Sequence, residues 1–198
     1  TGGMPPVAVD DSYGTVRNTP LVVEAPGVLV NDSDAEDGTL TAGLIGEPAN
    51  GTVALAADGG FSYTPGLDFV GTDTFTYRAS VGERHSAAAT VTIAVAKSPQ
   101  SIDFAPLGTK HYGDAPFDLG ATATSGLPVV LARSDPAVAT VDGSTVTIIG
   151  LGTATISANQ AGNALWSPAP EASQDLTVVF ADPLWSVQLD VSSAVPAS

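Results

Sequence analysis

Four carboxylates fall within six residues of this chain, at Asp32, Asp34, Glu36 and Asp37, and Asn31 adds an amide oxygen beside them. Asp32, Asp34 and Glu36 stand at i, i+2 and i+4, so an extended loop aims them at one point. Calcium takes six to eight oxygen ligands, and clustered carboxylates repel one another unless a cation or water intervenes. The loop departs from the EF-hand pattern, with Asp37 where that motif has its glycine and Gly43 where it has its bidentate glutamate. Calcium is the chemistry this spacing points to. A solvated acidic turn is the plain alternative.

Other chemistries find little support. The two histidines, His85 and His111, have neither a glycine-rich nucleophile turn nor a metal-ligand partner at short spacing. The absence of cysteine removes disulfides, thiolate nucleophiles and cysteine-based zinc sites together. Paired carboxylates can hydrolyse glycosides, but no aromatic-lined cleft is evident. Lys97 and Lys110 fall in a linker and a turn, which disfavours an intramolecular isopeptide bond. Trp166 and Trp185 each sit near proline; stacking on a sugar is one use for such rings, and packing is the commoner one. The chain is not expected to be an enzyme.

The charge points the same way. The chain has 21 acidic and 6 basic side chains and a formal net charge of −15. Both halves are acidic, with 12 acids and 4 bases up to residue 97, then 9 and 2. Nucleic acid and anionic membrane surfaces demand Lys/Arg footprints, so neither is an expected partner. No apolar stretch approaches the roughly 20 residues of a membrane helix.

The elements that must position these residues are strands. Glycine and proline, 21 and 15 of them, punctuate alternating runs of Val, Thr and Ile, and no sustained helical periodicity appears. Strands are expected at 7–9, 21–23, 40–45, 52–55 and 61–64. Phe75, Tyr77 and Ala79 share one face of the next strand, and Val91, Ile93 and Val95 one face of the last. Asp58, Gly59 and Gly60 form a hairpin turn. After a linker at 97–101, a second pattern has strands at 117–122, 128–133, 138–141, 146–149, 154–158 and 176–179. A third segment, 180–198, carries Val187, Leu189 and Val191 on one face. It folds back on its own domain, begins another, or pairs with a second chain across Leu184 to Val191. The expected domains are 1–97, 98–179 and the strand segment 180–198.

Several segments resemble the bacterial cadherin-like repeats of large surface adhesins. These are Pro6 to Asp11, Pro26 to Asp34, Gly60 to Pro65 and Phe69 to Tyr77, and the likeness covers about 5–96. It implies that Asp10, Asp11 and Asp73 join Asn31, Asp32, Asp34, Glu36 and Asp37 in binding calcium. Val81 stands where the family commonly has an aspartate, which removes one ligand. Tyr112 to Phe117, Ala123 to Pro128, Pro136 to Val141, Gly152 to Ile156 and Gln160 to Asn163 resemble bacterial immunoglobulin-like repeats over about 102–179. Together these imply two tandem Greek-key β-sandwiches, cadherin-like then immunoglobulin-like, in an all-β chain.

The function so implied is structural or adhesive, at the bacterial cell surface or outside the cell. Its partners are other domains of a longer chain, neighbouring subunits, or a glycan or surface ligand. The alternatives are a filament subunit assembled by strand donation and a carbohydrate-binding module.

Overall fold

A computed structural model describes residues 3–181. Trp185 and the strand expected over 184–191 therefore lie outside the described residues. Two compact units emerge: one holds the described residues up to Pro99 together with Gly162–Ser167, the other holds the rest. Apart from a short 3-10 turn at Gly27–Leu29, the regular structure of the described residues is entirely β.

The first unit contains β1 (Asp11–Val16), β2 (Leu21–Val23), β3 (Thr41–Gly46), β4 (Gly51–Leu55), β5 (Phe61–Pro65), β6 (Gly71–Val81), β7 (Arg84–His85) and β8 (Ala89–Ala96). One sheet runs β1-β8-β6-β3 with β7 paired to β6, and the other runs β2-β5-β4. Period-two alternation decides which side chains enter the space between them. Asp73, Phe75, Tyr77 and Ala79 of β6 are buried, as are Ala89, Val91, Ile93 and Val95 of β8. Phe61 and Tyr63 of β5 meet them from the facing sheet. Phe61 links the layers edge-on, with ring centroids 5.0 Å from Tyr13 and 5.4 Å from Phe75. The hairpin turn at Gly59 lies against the 3-10 turn so closely that a Cβ on Gly27 would sit 2.0 Å from the Gly59 carbonyl oxygen. Gly27 also has φ +52°, so two requirements exclude a side chain there.

The second unit contains β9 (Ile102–Asp103), β10 (Thr109–His111), β11 (Phe117–Asp118), β12 (Thr122–Ala123), β13 (Val130–Arg133), β14 (Ala139–Asp142), β15 (Thr145–Ile148), β16 (Gly152–Asn159) and β17 (Ala172–Val179). Its sheets are β10-β17-β16-β13, β11-β15-β14 and β12-β9. Ile156, Leu176, Val178, Ala154 and Ala158 of the four-stranded sheet pack with Val146 and Ala139 of the three-stranded one. Gln100, 7% exposed, sits in a relay in which Ser125 Oγ donates to its carbonyl oxygen and its amide donates to Gln160 Oε1 at 3.0 Å.

The structure corrects some sequence boundaries. Val7 to Val9 forms a single bridge, Val7 to Ser33, and the first ladder strand is β1. Its outward Ser12 and Gly14 hide the alternation, but it pairs in parallel with β8 from Asp11↔Val91 to Val16↔Ala96. The strand expected over 117–122 is split by Gly120, whose φ of +59° leaves the ladder.

Phe75 is 1% exposed at the junction of both layers. Phe75→Ala is expected to lower the unfolding free energy by about 3–5 kcal/mol. Val22→Ala, on an exposed side chain, should stay within about 0.5 kcal/mol. Urea denaturation followed by tryptophan-independent circular dichroism reads both.

Candidate metal centre

β6 carries the organising side chain. Its alternation turns Tyr77 inward, and the phenol reaches the loop after the 3-10 turn. The Tyr77 hydroxyl lies 2.7 Å from the Val28 carbonyl oxygen, 3.0 Å from each Asp32 carboxylate oxygen and 3.2 Å from the Val9 carbonyl oxygen. A phenol has one proton to give, so acceptors outnumber donors around it. The Val9 amide donates to Asp32 Oδ1 at 2.8 Å, which ties that loop to the chain's entry segment. Asn31 Nδ2 donates to the Asp10 carbonyl at 3.2 Å, and the Thr90 amide donates to Asp10 Oδ1 at 2.7 Å. The Asp11 carboxylate completes the group. Its Oδ2 is buried without a hydrogen-bond partner.

The electrostatics follow from this crowding. Burial, then the Asp32 and Asp10 charges, push the Asp11 pKa up to about 6, against the pull of the Tyr77 hydroxyl and the Asn31 amide. Burial also raises Asp32, with the Val9 amide and the Tyr77 hydroxyl acting in the other direction. Tyr77 is pushed far above its usual value by burial and by Asp11 and Asp32. Burial is the largest cause of each shift, and for Asp11 and Tyr77 the neighbouring carboxylate charges add to it.

Four of the eight residues singled out in the sequence therefore meet here: Asp10, Asp11, Asn31 and Asp32. Asp34 and Glu36 turn instead to Arg84 of β7, and the Asp34 side chain is 1% exposed. Asp37 occupies the turn that closes the loop, at φ +53°. Asp73 is elsewhere. Four residues before Tyr77 on β6, about 13 Å along the strand, it accepts from the Tyr63 hydroxyl at 2.8 Å and from the Ala49, Asn50 and Thr74 amides at 2.9–3.0 Å. Burial would raise its pKa, but these donors outweigh that and hold it below the usual carboxylate value. Tyr77 and Arg84 were not singled out by sequence reasoning. The one available signal was Tyr77 itself, because a buried tyrosine needs a partner for its hydroxyl.

The donor set is that of a hard cation. Asp11 and Asp32 supply carboxylates and Val9 and Asp10 backbone carbonyls, all oxygen, while Asn31 faces them with its amide nitrogen. No three His, Cys, Asp or Glu side chains gather in ligating positions among the described residues. A calcium ion would thus draw on Asp11 and Asp32, with backbone carbonyls and water making up the remainder. The orphaned Asp11 Oδ2 fits such an ion.

The sign of the pH dependence is fixed by the raised pKa. A carboxyl that binds its proton more tightly when folded stabilises the fold below its unfolded pKa, and that contribution is lost as pH rises through about 6. In EDTA at pH 7, Asp11→Asn is expected to melt several degrees above the unsubstituted protein, and the difference should vanish toward pH 4. Asp73 acts in the opposite sense and only below its unfolded pKa. Paired thermal melts across this range check the prediction.

The chain was compared with known proteins. No curated protein sequence matches it. Among solved structures, the extracellular cadherin domains 3-6 of protocadherin gamma B2 align at 14% identity over 91% of this chain and 52% of that one, with a TM-score of 0.42. An endo-fucoidan hydrolase of glycoside hydrolase family 107 aligns at 15% identity over 90% of this chain and 29% of that one, with a TM-score of 0.36. Scores this low carry no argument about function, and the chain spans only part of either protein. Residues 4–97 match the family model of the bacterial cadherin-like domain, which covers the first unit's main segment almost end to end and a little under half of the chain.

Proposed function

We propose that this chain is a structural, adhesive segment of an extracellular bacterial protein, and that calcium stiffens its first unit. The observation that carries the metal is the buried, unpartnered Asp11 Oδ2 beside Asp32, in a cluster where acceptors outnumber donors. The cadherin-like match over residues 4–97 supports the structural role and the extracellular setting. Among the described residues no helix is long and apolar enough to cross a membrane. The second unit, with its own two-layer core, is read as an immunoglobulin-like repeat in series with the first.

Neither unit is proposed to catalyse a reaction. The clustered carboxylates are engaged by Tyr77, Arg84 and backbone amides, an arrangement suited to holding a loop. Trp166 favours packing over sugar stacking, since the Arg17 guanidinium lies 5.0 Å from the ring centroid and covers one face.

Calcium bound only by the folded state must raise the melting midpoint. At a hundredfold excess over Kd the rise should be on the order of 10 °C. It should be lost in Asp11→Asn with Asp32→Asn, and it should shrink at pH 5, where the Asp11 proton competes with the ion. A midpoint that is the same in EDTA and in calcium at pH 7.5 overturns the metal reading.

A further inference from the structure

The acidic loop carries a second cluster, and it already holds a cation. Three oxygens from three separate residues converge on one nitrogen, Arg84 Nη1. They are Asp34 Oδ1 at 3.4 Å, Glu36 Oε2 and the Met4 carbonyl oxygen. The remaining oxygens are also engaged. Asp34 Oδ2 accepts from the Gly38 amide at 2.9 Å and the Glu36 amide at 3.3 Å, and Glu36 Oε1 accepts from the Met4 amide at 3.0 Å.

The backbone puts Arg84 there by construction. β6 turns back at Gly82 and Glu83, with Gly82 at φ +58°, and pairs Val81 with Arg84 across a two-residue hairpin. Val81 packs against the loop so tightly that a Cβ on Gly38 would lie 2.4 Å from its Cγ1. A valine thus fills the space beside the loop while its own hairpin partner, Arg84, supplies the charge. The buried Asp34 carboxylate needs such a charge, because an ionised group taken out of water without a partner is strongly unfavourable.

We infer that Arg84 is a built-in substitute for a metal ion on the Asp34–Glu36 half of the loop, clamping that half and the entry segment at Met4 without calcium. Metal binding is then confined to the Asp11–Asp32 cluster, and only this corollary rests on the calcium reading above. The loop's two halves are held by different cations, one covalently part of the chain and one exchangeable.

The test uses the whole chain with Arg84→Gln and Arg84→Lys, melted in EDTA and in millimolar calcium against sodium chloride of matched ionic strength. Arg84→Gln should lose about 5–10 °C in EDTA. Calcium should then raise its midpoint by more than it raises the unsubstituted protein, with one additional ion bound in titration calorimetry. Arg84→Lys, which keeps a charge within reach of the same oxygens, should stay near the unsubstituted protein in both conditions. An Arg84→Gln midpoint unchanged in EDTA overturns the clamp. A loss that calcium does not recover, or failure to fold even with calcium, overturns the substitution of one cation for another, as does Arg84→Lys behaving like Arg84→Gln. An unsubstituted protein indifferent to calcium sinks the Asp11–Asp32 site alone and leaves the Arg84 comparison readable.

Discussion

The first unit is organised by a constraint that its tyrosines impose. Tyr63 and Tyr77 are its largest fully buried side chains, and each carries a hydroxyl that must be satisfied where water cannot reach. The protein meets this with carboxylates, Asp73 for Tyr63 and Asp32 for Tyr77. Burying a phenol thereby fixes a negative charge at the edge of the core. Asp73 goes on to collect the Ala49, Asn50 and Thr74 amides, so it holds the β3–β4 connection against β6. Asp32 has fewer donors and sits beside Asp11. One pair is self-sufficient and the other is left short of positive charge.

That difference sets two carboxylate environments apart within one core. At Asp73 the donors win against burial and the group remains a comfortable anion. At Asp11 and Asp32 burial wins and both pKa values rise. The second unit handles its buried polar groups differently. Gln100 and Gln160 are amides, carrying donor and acceptor together, and they close their relay without creating net charge.

The sequence displayed the fold where one face is apolar and the other polar. Phe75, Tyr77 and Ala79, and Val91, Ile93 and Val95, show their inward face by period alone, and the glycines after Asp58 announce the hairpin. β1 was hidden because Ser12, Gly14 and Thr15 leave it without an apolar stripe, and its strand character comes from pairing with β8 far along the chain. The site was legible as composition but not as geometry. Acids at alternate positions near residue 32 suggested one shared point, yet Asp32 turns to Tyr77 and Asp34 to Arg84, partners 45 and 50 residues away. No local spacing encodes that choice. Arg84 in particular reads as an ordinary charged turn until the hairpin carries it across the sheet.

The parallel pairing of β1 with β8 bears on how this unit carries load. Parallel neighbours at the start and end of a unit mean that the chain comes in at one end of the ladder and goes out at the other, from Asp11 beside Val91 to Val16 beside Ala96. Tension applied along the polypeptide then acts along the strands. The bonds joining β1 to β8 are strained in shear, all together, whereas an antiparallel pair pulled from one end would unzip bond by bond. The cluster at Asp10, Asp11 and Asp32 sits at the entry end of that ladder, where force first reaches the sheet. In a unit paired in this way, resistance to such a pull would be set by the bonds that must fail at once.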